Sequence, residues 1–217
     1  MGTSVAFQLA RRGHGTIILL ERGTVGSGPT AKSTGIIRLH YSYEPLIRLA
    51  ARSLELFSHF EALTGGVADF TRTGFLLLAS PAQMSTLRAN VALQRALGVR
   101  AFVLTPEEIA ARDPRVNLDD VGGAAYEPDS GYADGYATTA SFAAAARRLG
   151  VEIREMTPAE SILTKGDRVE GVRTLRGTIS TPAVLVAAGP WTPGLLRPLG
   201  VDVPIRSTID WAAVKEL

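Results

Sequence analysis

Apolar residues along this chain follow two rhythms, and the switches between them outline its elements. Met1 to Gly13 reads as a helix, with Gly13 and Gly15 ending it. Thr16-Ile17-Ile18-Leu19-Leu20-Glu21 follows at once as a buried apolar strand closed by an acid. Arg22 to Gly35 is a loop of small and polar residues, and Ile36-Ile37-Arg38 is a brief apolar run that closes it. Leu46, Ile47, Leu49, Ala50, Leu54, Phe57 and Phe60 then recur at helical spacing, which predicts an amphipathic helix from about Glu44 to Leu63. Phe70 to Ser80 is strand-like and stops at Pro81, and residues 82–97 read as a helix. Thr105-Pro106-Glu107-Glu108 opens another helix, with threonine as its cap and proline in its first turn.

In the second half, Gly131 to Ala137 reads as a loop and Thr138 to Leu149 as an alanine-rich helix ended by Gly150. Four strands are expected next, at 151–154, 160–164, 168–174 and 178–180, with turns at Gly166-Asp167 and Arg176-Gly177. Ala183 to Ala188 is an unbroken apolar run, the pattern of a parallel strand buried on both faces, and it breaks at Gly189 before a new helix at Trp191-Thr192-Pro193. Nucleotide-type elements therefore stand at both ends. The expected architecture is α/β: a Rossmann-like domain over 1–63 and 126–200, lacking its first strand, interrupted by an α+β substrate domain over 64–125 with a partial continuation at 201–217.

Composition narrows the function classes only a little. Hydrophobic residues make up 46% of the 217, enough for a buried core, and a formal charge of +2 with no Lys/Arg block gives no reason to expect nucleic acid. No apolar run reaches the ~20 residues of a membrane span. Zero cysteines leave no disulfide, thiolate metal site or cysteinyl flavin link within the sequence. A soluble, cytoplasmic protein is the expectation. His14, His40 and His59 lack the mutual spacing of a metal site, and no G-x-S-x-G elbow or P-loop occurs.

Helix, turn, strand and terminal acid form the second half of a βαβ dinucleotide-binding unit. Gly2 stands where the last glycine of G-x-G-x-x-G falls, allowing tight helix–strand packing, and Glu21 ends the next strand, where a carboxylate accepts from ribose hydroxyls. The same residues also fit an ordinary amphipathic helix on a strand, with Glu21 a solvated acid. The loop beyond carries more. Glu21-Arg22-Gly23, Gly26-Ser27-Gly28, Ala31-Lys32-Ser33-Thr34-Gly35 and Ile36-Ile37-Arg38 together resemble the flavin loop of FAD-dependent oxidoreductases related to D-amino acid oxidase, in particular the sarcosine, glycine and dimethylglycine enzymes. Pro128-Asp129-Ser130-Gly131-Tyr132-Ala133-Asp134, Thr157-Pro158-Ala159, Gly171-Val172-Arg173-Thr174 and Val186-Ala187-Ala188-Gly189-Pro190-Trp191 are similar to later parts of that family.

The resemblance implies FAD as cofactor. It implies that Glu21, with Arg22 beside it, binds the adenosine ribose, that Ser33 and Thr34 pass the pyrophosphate and flavin ring, that Ala159 contacts the adenine, and that the Gly189 turn approaches the FAD. Arg38 takes the role of binding the substrate carboxylate, with a structural salt bridge as its alternative; His40 either lies near the ring or is a turn residue. The implied reaction is oxidation of the C–N bond of a small amino acid or N-methyl amino acid to an imine, with oxygen or an electron-transfer acceptor reoxidising the flavin. Two alternatives keep their place: an FAD-dependent 2-hydroxy-acid or glycerol-phosphate dehydrogenase, and an inert module completed by a partner chain. The first strand, the first two fingerprint glycines and the later part of the substrate domain are missing from the sequence as it stands, which reads as a misplaced start and a truncated or frameshifted end.

Overall fold

The computed structural model describes residues 1–206. In chain order the elements are α1 (Gly2–Arg11), β1 (Ile18–Leu20), β2 (Ile36–Ile37), α2 (Glu44–Ser58), α3 (Phe60–Thr64), β3 (Phe75–Ala79), α4 (Met84–Ala96), β4 (Phe102–Leu104), α5 (Pro106–Arg112), β5 (Gly123–Glu127), β6 (Gly131–Tyr132), α6 (Gly135–Arg148), β7 (Glu152–Arg154), β8 (Ala159–Lys165), β9 (Arg168–Thr174), β10 (Gly177–Ser180) and α7 (Thr192–Leu196). The fold is α/β. By packing, the chain divides into two units: Met1–Val25 with the residues from Ala146 onward, and Gly26–Ala145. The boundaries expected from sequence, at 63/64 and 125/126, fall inside the second unit.

In the first unit, α1 is followed by β1, which pairs in parallel with β7, Ile18 opposite Glu152 and Leu20 opposite Arg154. Ala6 and Phe7 on α1 and Val151 before β7 are buried. An antiparallel meander follows, in the order β8-β9-β10. The expected strand at 183–188 does not form: the run is irregular, half-buried positions alternate with exposed ones, and Leu185 is 60% exposed. An apolar run becomes a doubly buried strand only when a neighbouring strand satisfies its backbone, and among the described residues none pairs with it. Residues 201–206 carry no strand either, and the rest of the expected 201–217 segment lies outside the described residues.

The second unit is built on an antiparallel sheet with β5 central between β3 and β4. α2 and α4 cover it, and Leu39, Ile47, Leu54, Leu87, Val91 and Ala125 form its main core. The single helix expected over 44–63 is two. Near its end, Ser58 Oγ donates to the Leu54 carbonyl at 3.0 Å and His59 Nδ1 lies 3.0 Å from the Glu55 carbonyl. Such local side-chain bonds compete with helix continuation. After the break, α3 aims Phe60 edge-on at Phe142, centroids 5.0 Å apart. The strand expected over 70–80 is confined to β3, which begins directly after Gly74 at φ 77°. The loop expected over 131–137 instead contains β6 and the start of α6. Thr105 caps α5 as expected, its Oγ1 accepting from the Glu108 amide while Glu108 Oε2 accepts from the Thr105 amide at 2.8 Å, a reciprocal capping box.

Ile47 is fully buried in this core. Ile47→Ala is expected to destabilise the chain by about 2–5 kcal/mol, measured as a lower urea midpoint at unchanged m-value.

Candidate functional site

Arg38 sits one residue beyond β2, which pairs with β6, Ile36 opposite Tyr132. That pairing depends on Gly35: φ is +67°, and a Cβ there would lie 2.0 Å from the Ala133 carbonyl oxygen. Leu39 and His40 turn into the core while Arg38 faces outward. Its guanidinium lies 5.5 Å from the Tyr41 ring centroid and 5.8 Å from that of Phe75, within cation–π range of both. Among the described residues no carboxylate pairs with it.

Behind Arg38 lies a buried acid. Glu127 ends β5 directly opposite Phe75 on β3, so the two side chains share a face of the sheet. Its Oε2 accepts from the Leu39 amide at 2.8 Å and from Ser130 Oγ at 2.9 Å. Glu127 is 0% exposed and His40 8%. Glu127 Oε1 and His40 Nδ1 face each other at 3.8 Å, and neither has a hydrogen-bond partner among the described residues. Burial pushes the Glu127 carboxyl above the usual range, against the opposing pull of the amide and hydroxyl donors and of the Arg38 charge. Burial, and then the Arg38 charge, hold the His40 imidazole below its ordinary value.

Ser33 and Thr34 are exposed, and they line a cleft of about 550 Å³ together with Thr30, Asp69, Tyr132 and Tyr136. Ser33 Oγ accepts from the Gly35 amide at 3.1 Å.

The other candidates lie in the first unit. Gly2 opens α1, whose first turn has no side-chain cap. A Cβ at Gly2 would meet Leu19 Cδ1 at 3.5 Å and Ala187 Cβ at 3.8 Å, ordinary contact distances, so helix–strand packing does not itself demand glycine there. Glu21 follows β1. Its amide donates to the Arg154 carbonyl, its carbonyl accepts from the Thr157 amide, and its Oε1 accepts from the Gly23 amide at 2.8 Å. Arg22 stacks on the Trp191 indole, 3.8 Å from the ring centroid. Ala159 begins β8 opposite Thr174. Gly189 has φ +53°, and a Cβ there would meet no described atom within 4 Å, so conformation rather than close protein packing accounts for the glycine.

The structure thus groups Arg38 with His40 in one unit and Glu21 with Arg22 in the other. Sequence reasoning missed Glu127 and Glu155. Glu155 Oε1 accepts from the Val25 amide at 2.7 Å, tying down the turn that Glu21 begins. The one available signal for Glu127 was an acid closing the apolar run Gly123-Ala124-Ala125-Tyr126.

A family model described as "FAD dependent oxidoreductase" (DAO) matches residues 1–212. The chain is 31% identical to a 4-methylaminobutanoate oxidase (formaldehyde-forming) of Paenarthrobacter nicotinovorans, covering 94% of this chain and 25% of that protein. It is 31% identical to sarcosine oxidase subunit beta of an Arthrobacter species, covering all of this chain and 55% of the relative. Among solved structures, L-proline dehydrogenase from P. horikoshii superposes with a TM-score of 0.86 at 29% identity, covering 94% of this chain and 54% of that one. The chain spans about a quarter of the length of the first curated relatives it matches.

Keeping His40 neutral contributes stability that is present above the unfolded value near 6.5 and is lost as pH falls through the lowered folded value. His40→Gln removes that dependence. Between pH 7 and pH 5 the urea midpoint of the variant is expected to fall less than that of the parent chain.

Proposed function

Since its sequence matches that family over residues 1–212, the chain belongs to the FAD-dependent oxidoreductases, whose cofactor is FAD, and on that premise we propose that the protein oxidises the C–N bond of a small amino acid or N-methyl amino acid to an imine. The observation that carries this reading is the Arg38 guanidinium: exposed, free of any carboxylate partner among the described residues, and flanked by two aromatic rings. A structural salt bridge would commit it elsewhere. A planar, always-charged fork without a partner suits a substrate carboxylate bidentately.

The donor set of the first unit fits the adenosine half of FAD. Glu21 uses Oε1 on its own turn and keeps Oε2, which has no partner among the described residues, for a ribose hydroxyl. The uncapped first turn of α1 offers amides of the kind that hold phosphate oxygens. Arg22, with its indole support, stands beside Glu21, while Ala159 and Gly189 belong to the same reading as adenine-side and turn residues. In the second unit, Ser33 and Thr34 would follow the pyrophosphate and ring. Bound FAD supplies the acceptor for a hydride equivalent from the carbon beside the amine. Arg38 would hold the substrate carboxylate, water would hydrolyse the imine, and oxygen or a separate acceptor would take up the electrons. A partner subunit belongs to this reading as well, since the Arthrobacter relative is itself a subunit.

Arg38→Lys is expected to raise KM for N-methylglycine roughly 10–100-fold, the loss of about 1.5–3 kcal/mol from a charge-assisted pair. Steady-state kinetics with N-methylglycine, 2-hydroxyglutarate and glycerol 3-phosphate test the substrate class, and turnover of either hydroxyl substrate but not the amine would overturn it. Glu21→Ala is expected to weaken FAD binding about tenfold, the loss of about one hydrogen bond to a charged group, read by titration of flavin fluorescence. A protein that neither carries flavin absorbance nor takes up FAD would defeat the proposal as a whole.

A further inference from the structure

Arg38 lies on an irregular segment, yet both sides of it are pinned. On its N-terminal side β2 has only two residues on the β6 ladder. On its C-terminal side the next amide, that of Leu39, donates to Glu127 Oε2, and the Tyr41 carbonyl accepts from Gln94 Nε2 at 3.3 Å. Glu127 and Phe75 occupy the same rung of the β3–β5 ladder, so one cross-strand pair supplies both the acceptor for the backbone beside Arg38 and one of the rings that flank its guanidinium. Ser130 Oγ, donating to the same oxygen, fixes the carboxyl orientation. A buried carboxyl group is costly to keep unless hydrogen bonds offset its desolvation, and here both of those bonds fall on Oε2.

We propose that Glu127 is a positioning residue for Arg38: its Oε2, shared by the Leu39 amide and the Ser130 hydroxyl, sets the backbone register that holds the guanidinium between Tyr41 and Phe75. The inference rests on Arg38 as the carboxylate-binding residue for its functional meaning, but its geometric content stands apart from that. An acceptor is what the Leu39 amide requires, so glutamine in place of Glu127 retains the function, whereas a shortened or apolar side chain withdraws it and leaves a buried amide unpaired.

The test compares Glu127→Gln, Glu127→Asp and Glu127→Leu in the ¹⁵N-labelled chain. The Leu39 amide and the Arg38 Nε–Hε resonances are followed, the latter assigned by its disappearance in Arg38→Lys. Both resonances are expected to move in the Leu and Asp variants and to stay near their parent positions in the Gln variant. Should Glu127→Leu fail to fold, the Asp variant carries the same reading. In the FAD-loaded protein, the Asp variant is expected to raise KM for N-methylglycine about tenfold with kcat changed by less than about twofold, and the Gln variant to restore KM. An Arg38 resonance unmoved in the Asp and Leu variants would overturn the proposal. Resonances that move as expected, with KM insensitive to both Arg38→Lys and Glu127→Asp, would uphold the positioning role and instead overturn Arg38 as the carboxylate-binding residue.

Discussion

The second unit depends on satisfying one buried carboxyl group. Glu127 has lost its water, and desolvation at that depth costs several kcal/mol unless protein donors replace it. Those donors come from two places in the sequence, the Leu39 amide and the Ser130 hydroxyl, so the hydrogen bonds that make Glu127 tolerable also tie the segment after β2 to the end of β5. Gly35 belongs to the same constraint. Without its positive φ and its missing Cβ, β2 cannot lie against β6, and the backbone leading to Arg38 loses its first support. Arg38 remains exposed, while Leu39 and His40 directly after it are buried.

The first unit solves a smaller version of the same problem. The turn after β1 is closed by its own acid, Glu21 to the Gly23 amide, and by a distant one, Glu155 to the Val25 amide. Backbone bonds from Met156 to Gly23 and from Thr157 to Glu21 complete the clamp. Glu155 is also near Arg147, at 3.5 Å, an exposed pair that adds little by itself. Both units therefore use a carboxylate on backbone amides to shape a loop that regular secondary structure leaves unsupported.

How much of this could be read from the sequence depended on how local each determinant is. The Thr105 cap, α1 and the β8–β10 meander are written in residues a few positions apart, and they form where expected. The run 183–188 shows the opposite case: its apolar character matches a doubly buried strand, but being a strand requires a pairing neighbour that its own residues cannot specify. The break at His59 turns on rotamer-level competition for helix carbonyls, which periodicity does not register. Arg38 was a candidate through the resemblance of the loop and of the paired isoleucines before it, and His40 through its closeness to that loop. Whether Arg38 was committed to a salt bridge was not, since that depends on which acids the fold brings near. Glu127 escaped because its burial and its bond to the Leu39 amide join residues 88 positions apart, a pairing that no local pattern registers.

The parallel pairing of β1 with β7 carries a consequence for biogenesis. Its two strands are separated in sequence by the whole of the second unit, so β1 emerges from the ribosome long before its partner exists. Closing so long a loop costs entropy that only the finished ladder repays, and non-local parallel pairings of this kind form slowly. Until β7 is made, Ile18, Leu19 and Leu20 lack the one partner strand that they have among the described residues, and an apolar strand in that state is prone to aggregation.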